Sequence, residues 1–212
     1  MNFKPITVDP DKIYDYSFAI IEEEMGEHHF SDMEWQVVRR IIHASADFEL
    51  GRSVVFSHGA VEAGIKAIRE GKHVIADVQM IVSGSGRKRF QKYGGDLHCY
   101  ISDEDVSQEA KEEGVTRAIM SMRKAAREHE GGIYAIGNAP TALLELIRLV
   151  KEGIAKPDLI IGMPVGFVSA AESKEELLKL EGIPYITNIG RKGGSTVTVA
   201  ALNAISILAD QV

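Results

Sequence analysis

Short apolar runs rich in Val, Ile and Ala recur from about residue 53 onward, separated by longer stretches whose apolar positions repeat at helical spacing. That alternation predicts parallel strands joined by crossover helices, an α/β architecture. The strands fall at 53–57, 73–79, 97–101, 132–136, 159–162 and 184–188. The helices that accompany them fall at 60–70, 105–113, 115–128, 141–151, 169–180 and 194–209. Two further helices, at 11–24 and 32–48, precede the first strand. No linker, composition shift or fixed-period repeat divides 1–212, so a single domain is expected, with its N-terminal helices (about 11–48) ahead of the sheet.

The 32–48 helix separates most sharply into two faces. At 100° per residue Trp35, Val37, Val38, Ile41, Ile42, Ala44 and Phe48 fill one arc, while Gln36, Arg39, Arg40, His43 and Asp47 fall on the other. His43 is therefore not core filler. Two arginines and a carboxylate within about a turn make it a candidate proton donor or acceptor. A solvated polar face is the plainer reading of the same pattern.

Ligands of an open parallel sheet gather at the carboxyl ends of its strands, and four of those ends carry unusual residues. The loop IVSGSGRKRF (81–90) joins Ser83, Gly84, Ser85 and Gly86 to the basic Arg87, Lys88 and Arg89, a composition that lets backbone N–H groups approach an anion. It has neither the third glycine of a dinucleotide fingerprint nor a GK[ST] ending, and a solvated basic turn is its plainer reading. GNAPTALLEL (137–146) places Pro140 in a first helical turn, and GMPVGFVSAAESKEEL (162–177) reads as a binding loop. In NIGRKGGSTVTVAALNAISIL (188–208), Arg191, Lys192, Gly193, Gly194, Ser195 and Thr196 stand before a very apolar helix, a geometry suited to carboxylate or phosphate. That helix is either sheet packing or a subunit interface, and Arg117 alone reads as a surface arginine.

The chain has 212 residues, 45% hydrophobic and 26% charged, an ordinary globular composition. A net charge of −7 argues against general nucleic-acid binding, so an anionic ligand must be met by local basic clusters. The single cysteine, Cys99, excludes an internal disulfide and a cysteine-based metal site, which makes a reducing cytoplasm the expected setting. His28 and His29 beside the acidic 22–24 run are read as surface, with no metal site expected. No stretch reaches the ~18 apolar residues of a membrane span, and no secretory signal pattern is present, so an untargeted, soluble protein is expected.

RRIIHASADFE, the SGSGR loop, GVTRAIMSM, YAIGNAPTALLEL, IGMPVGFVSAAESKEEL and IGRKGGSTVTVAALNAI, in that order, resemble the precorrin-8X methylmutase family, including its cobalt-precorrin-8 methylmutase branch. The likeness runs from about Tyr16 to the C-terminus. It implies a three-layer α/β/α flavodoxin-like fold with a mainly parallel sheet, a homodimer, and an isomerase of cobalamin biosynthesis acting on a corrinoid tetrapyrrole. The implied reaction moves a methyl group from C-11 to C-12, giving hydrogenobyrinate or, with cobalt in the ring, cobyrinate. By its place in R-x-x-H-A, His43 matches the family's catalytic histidine, and no cofactor is implied. Arg40 and Ser17 match substrate contacts, with Ser83, Gly84 and Arg117, and then Arg191, Gly193, Gly194 and Ser195, as further candidates. A non-catalytic tetrapyrrole carrier is the competing expectation.

Overall fold

Residues 9–211 are described by the computed structural model. Along the chain they form α1 (Pro10–Met25), α2 (Asp32–Ser45), α3 (Phe48–Arg52), β1 (Val54–Phe56), α4 (Ala60–Arg69), β2 (Val74–Ala76), α5 (Gln79–Gly84), α6 (Arg87–Gln91) and β3 (Leu97–His98). There follow α7 (Glu104–Glu113), α8 (Arg117–Glu128), β4 (Ile133–Ile136), α9 (Pro140–Lys151), β5 (Leu159–Gly162), α10 (Ala170–Leu178), β6 (Tyr185–Asn188) and α11 (Ser195–Gln211). The sheet order is β1-β6-β5-β4-β2-β3. The five strands β2 to β6 are parallel, and their order, 2-1-3-4-5 when renumbered among themselves, is that of the flavodoxin-like fold.

Alternation along each strand builds two cores. In β4, Ile133 and Ala135 join one cluster while Tyr134 and Ile136 join the other, as the two-residue period of a strand requires. The first cluster packs the sheet against α1, α2, α4, α5 and α11; the second packs it against α7, α8, α9 and α10. Helix α11 is sheet packing: Val197, Ala201, Leu202, Ala204 and Ile205 are buried, and α2 and α4 lie on it. Its close neighbour on α4 is Gly64, where a Cβ would stand 2.9 Å from both Ile205 and Leu159.

Three local expectations change. The 32–48 helix breaks: Ala46 is left-handed (φ 52°), and the Asp47 side chain accepts the Leu50 N–H at 2.9 Å to cap a new helix, α3. Asp47 therefore does not continue the polar arc of α2, and on the other arc Ala44 is exposed and Phe48 belongs to α3. The 81–90 loop is largely helical, in α5 and α6, with Gln79 opening α5 rather than closing a strand. The first strand is an antiparallel edge on β6, only partly buried, a position that needs no crossover helix.

At the switch point between β2 and β4, the Asp77 carboxylate, fully buried, accepts the N–H groups of Gly137, Asn138 and Ala139 at 3.0, 2.8 and 2.7 Å. Burial pushes this carboxyl above the ordinary carboxylate range, and the three N–H donors pull against it. At the opposite end of the sheet, His73, His98 and His129 form a triangle with ring centroids 4.8, 4.9 and 5.3 Å apart. Tyr100 Oη and His129 Nε2 are hydrogen-bonded at 2.6 Å. Among the described residues no group of three or more His, Cys, Asp or Glu could hold a metal ion, this triangle included.

Asp77→Ala removes the acceptor of three N–H groups and is expected to lower unfolding free energy by about 3 kcal/mol in a denaturant titration; a loss below about 1 kcal/mol would show that the turn holds without it. The histidine triangle predicts acid sensitivity. Burial, then the neighbouring imidazoles, hold His98 and His129 below the ordinary 6.5, so the unfolded chain takes up these protons first. Their contribution is complete above pH 6.5 and is lost as the pH falls below it. The melting temperature should drop between pH 7 and pH 5, by less in the double variant His98→Gln/His129→Gln; an identical drop in both proteins would refute the assignment.

Candidate active site

Helix α2 starts from a capping box, in which the Ser31 N–H donates to Glu34 Oε2 at 2.9 Å and the Ser31 hydroxyl accepts the Glu34 N–H at 3.4 Å. Trp35, Val37, Val38, Ile41 and Ile42 bury its apolar stripe and turn Arg39, Arg40 and His43 away from the core. The exposed His43 ring stacks on Phe18 (centroids 5.2 Å, interplanar 23°) and meets Tyr14 edge-on at 5.5 Å. The Arg39 guanidinium lies 4.8 Å from the Phe18 centroid, and that of Arg40 lies 5.5 and 5.6 Å from Tyr14 and Phe18. Tyr14 and Phe18 are one turn apart on α1, and Ser17, between them in sequence, donates its hydroxyl to the Ile13 carbonyl at 2.8 Å. Burial and then the charge of Arg40 depress the Arg39 pKa; Arg39 also donates to Gln36. His43, Arg39 and Arg40 thus meet on one aromatic shelf made by Tyr14 and Phe18, and Ser17 lies on the same helix as the two rings with its hydroxyl turned to its own backbone.

A lysine ties this shelf to the β6–α11 turn. Lys192 Nζ donates to Asp47 at 2.6 Å and to Glu49 at 2.9 Å, just past the end of α2. The Lys192 contact and the Leu50 N–H hold the Asp47 carboxyl below its usual range. Next to Lys192, Gly193 has φ 150° and a Cβ there would collide with the Met163 carbonyl, so this position demands glycine. The Gly194 N–H donates to the same carbonyl at 2.8 Å, and Ser195 opens α11. The Arg191 guanidinium lies 5.8 Å from the centroid of Phe167, and the Arg191 carbonyl accepts the Gly166 N–H at 3.2 Å. The 162–169 and 189–195 segments are therefore one unit.

The remaining candidates lie farther round. Ser83 and Gly84 end α5, exposed, where Asn203 of α11 clamps the turn: it donates to the Gly84 carbonyl at 3.1 Å and accepts the Gly86 N–H at 2.9 Å. Arg87, whose charge suited either an anion or a solvated turn, is paired with Asp96 at 2.6 and 2.8 Å. Arg117 is exposed at the first position of α8, in the helix layer on the other side of the sheet from α2, beside the Thr116 to Thr141 contact of 3.2 Å.

Sequence reasoning passed over Tyr14 and Phe18, although their four-residue spacing in YDYSF was a readable signal. It also passed over Asp77 and the buried Lys174, whose partners are distant in the chain and leave no local trace.

The precorrin-8X methylmutase family model matches residues 12–208. The cobalt-precorrin-8 methylmutase of Priestia megaterium is 67% identical over 208 residues, covering 98% of this chain and 92% of the relative. The precorrin-8X methylmutase of a Sinorhizobium species is 38% identical over 199 residues, covering 93% and 94%. The solved precorrin-8X methylmutase of Thermus thermophilus superposes with a TM-score of 0.88 at 43% identity, covering 95% of this chain and 97% of that one. With an α1–α2 shelf, a flavodoxin-like sheet and motifs matched across nearly its whole length, the chain belongs to the precorrin-8X methylmutase family.

Proposed function

We infer that this chain catalyses the isomerisation for which its relatives are named, the step of cobalamin biosynthesis that moves a methyl group from C-11 to C-12 of the corrin precursor, giving hydrogenobyrinate or cobyrinate. The C-11 to methyl bond breaks and the C-12 to methyl bond forms within one molecule. Atoms and electrons balance without an oxidant, a reductant or a second substrate. The reading rests on the His43 ring, presented on an open surface between aromatic side chains with Arg40 alongside. An imidazole there donates a proton or hydrogen bond to the conjugated ring, withdraws electron density as the methyl migrates, and takes the proton back afterwards.

The substrate's carboxylates find cations at Arg40 and Arg191, a hydroxyl at Ser17 and the first N–H of α11 at Ser195, beside Gly194, whose own N–H is held by the Met163 carbonyl. Ser83, Gly84, Gly193 and Arg117 complete the proposed contacts. A non-catalytic carrier would use the same basic surface, but the relatives carry the names of mutases.

The reading includes a homodimer in the cytoplasm. Phe167 and Val168 are 85% and 82% exposed at the rim of the site, and Ile13, Tyr16 and Ile20 form an exposed stripe along α1. Such apolar surface is what a second copy covers, and a second copy over the open His43 face would exclude water from the reaction. No helix among the described residues is long and apolar enough to cross a membrane.

His43→Ala is expected to keep substrate binding and to lower kcat at least about 100-fold, within the range of general acid–base catalysis. The absorption change of cobalt-precorrin-8 and of its metal-free counterpart, followed side by side, measures this; a near wild-type rate would remove His43 from the chemistry. Wild-type protein that binds product tightly but moves no methyl group in a single turnover would be a carrier. Light scattering should return twice the 23.2 kDa of the chain, and replacing Phe167 and Val168 by serine should shift it toward the single-chain mass. A wild-type mass of one chain contradicts the dimer.

A further inference from the structure

Lys174 lies on α10 in the middle of AAESKEELL, where a run of charges suggests a solvated face. Its side chain is instead almost wholly buried, 1% exposed. Its ammonium donates to the Lys192 backbone carbonyl at 2.7 Å and to Asn188 Oδ1 at 3.4 Å. Asn188, itself fully buried at the end of β6, donates to the same carbonyl at 2.8 Å. One backbone oxygen in the turn before α11 thus takes two donors from beneath. No carboxylate is among the ammonium's hydrogen-bond partners: Glu176 is paired with Lys179 and Lys151, and Asp47 and Glu49 take the Lys192 side chain outside the turn. A buried cation without an ionic partner costs stability unless it does something else.

We propose that Lys174 is a positioning residue for the reaction at His43: by holding the Lys192 carbonyl it fixes the turn that presents Arg191, Gly193 and Gly194 to the substrate. Lys192 is then a strut gripped at both ends. Its carbonyl is tied to α10 and β6, and its ammonium is tied to Asp47 and Glu49 where the His43 helix ends. Arg191 and Gly193 flank the gripped residue, so the direction in which they face depends on the grip. The inference deepens the isomerase reading and rests on it for the identity of the ligand, while the holding of the turn stands independently.

Burial lowers the Lys174 pKa to about 8. Above that pH the amine can still donate, but without charge, and the grip on the carbonyl weakens. For overall stability the sign is opposite: between pH 8 and 10.5 the unfolded chain binds more protons, so this group's contribution to global stability rises while the turn loosens. Local and global effects can therefore be told apart.

Lys174→Met keeps length and apolar volume and leaves the Asn188 donor in place. In the ligand-free variant, amide hydrogen exchange across 189–195 should be about tenfold faster than in wild type, with α10 and the sheet unchanged. With cobalt-precorrin-8, KM should rise about tenfold and kcat stay within about threefold, the signature of lost binding rather than lost chemistry. Wild-type exchange and KM in the variant would overturn the proposal, and so would accelerated exchange across the whole domain, which would make Lys174 a residue of global stability. Should the variant fail to fold, wild-type exchange at pH 7 and pH 9.5, corrected for intrinsic base catalysis, decides: selective loss of protection at 189–195 supports the proposal and constant protection overturns it. Wild-type protein that converts neither precursor would sink the isomerase reading, while the exchange measurements would still decide whether Lys174 holds the turn.

Discussion

The Asp77 carboxylate closes the crevice that a parallel sheet leaves where its strand order reverses. The connections leaving β2 and β4 pass to opposite faces of the sheet there, and the turn into α9 directs the N–H groups of Gly137, Asn138 and Ala139 at the crevice. In folds of this order that crevice is where an anionic ligand settles. Here the chain supplies the acceptor itself, sixty residues upstream of the turn it fills. The three donors are satisfied internally, and the proposed site lies instead toward the β5–β6 side and the helices that precede the sheet.

That displacement explains why α1 and α2 matter. They lie on the same side of the sheet as α11, and α2 packs along α11 so that its last turn stands beside the segment entering that helix. On the proposed reading, a chain with net charge −7 brings a polycarboxylate to this place against its own field. Local pairing does so. Asp47 and Glu49, the carboxylates at the end of the His43 helix, are both taken by Lys192, while Arg40 and Arg191 lie over aromatic rings and keep their charge available.

The layout of the sheet and the polar face of α2 were legible in the sequence because both depend on periodicity, which is local. Short apolar runs marked all six strands, though the third ends at His98 rather than at 101, and the arc holding Arg39, Arg40 and His43 is the arc that the buried Trp35, Val38, Ile41 and Ile42 turn outward. Departures arose where a local signal competes with one from elsewhere in the chain. Asp47 continues the helical pattern, yet its side chain prefers the cap of α3 and an ion pair 145 residues away. Arg87 looked like charge for a ligand and is bound to Asp96. Lys174 sits in the charged run AAESKEELL, and only the fold, which sets the carbonyl of Lys192 beneath it, makes burial tolerable. The α1 contribution to the shelf was half legible: Ser17 was named by family likeness, and the rings of Tyr14 and Phe18 that hold the imidazole were not.

A methyl shift around a macrocycle displaces few atoms, so little of the catalytic task is conformational and much of it is registration. The proton-bearing group has to meet one region of a large ring whose orientation is set by carboxylates many ångströms away. Independent flexible contacts would let the ring pivot, and each would lose entropy on binding. In the proposed arrangement Lys192 removes that freedom before the substrate arrives. It connects the turn that carries Arg191 and the glycines to the end of the helix that carries His43, and Lys174 and Asn188 fix the backbone from which it reaches. The distance between anion recognition and proton transfer is then a property of the folded chain rather than of the complex. In such a design a buried, unpaired lysine is explained by what it holds still.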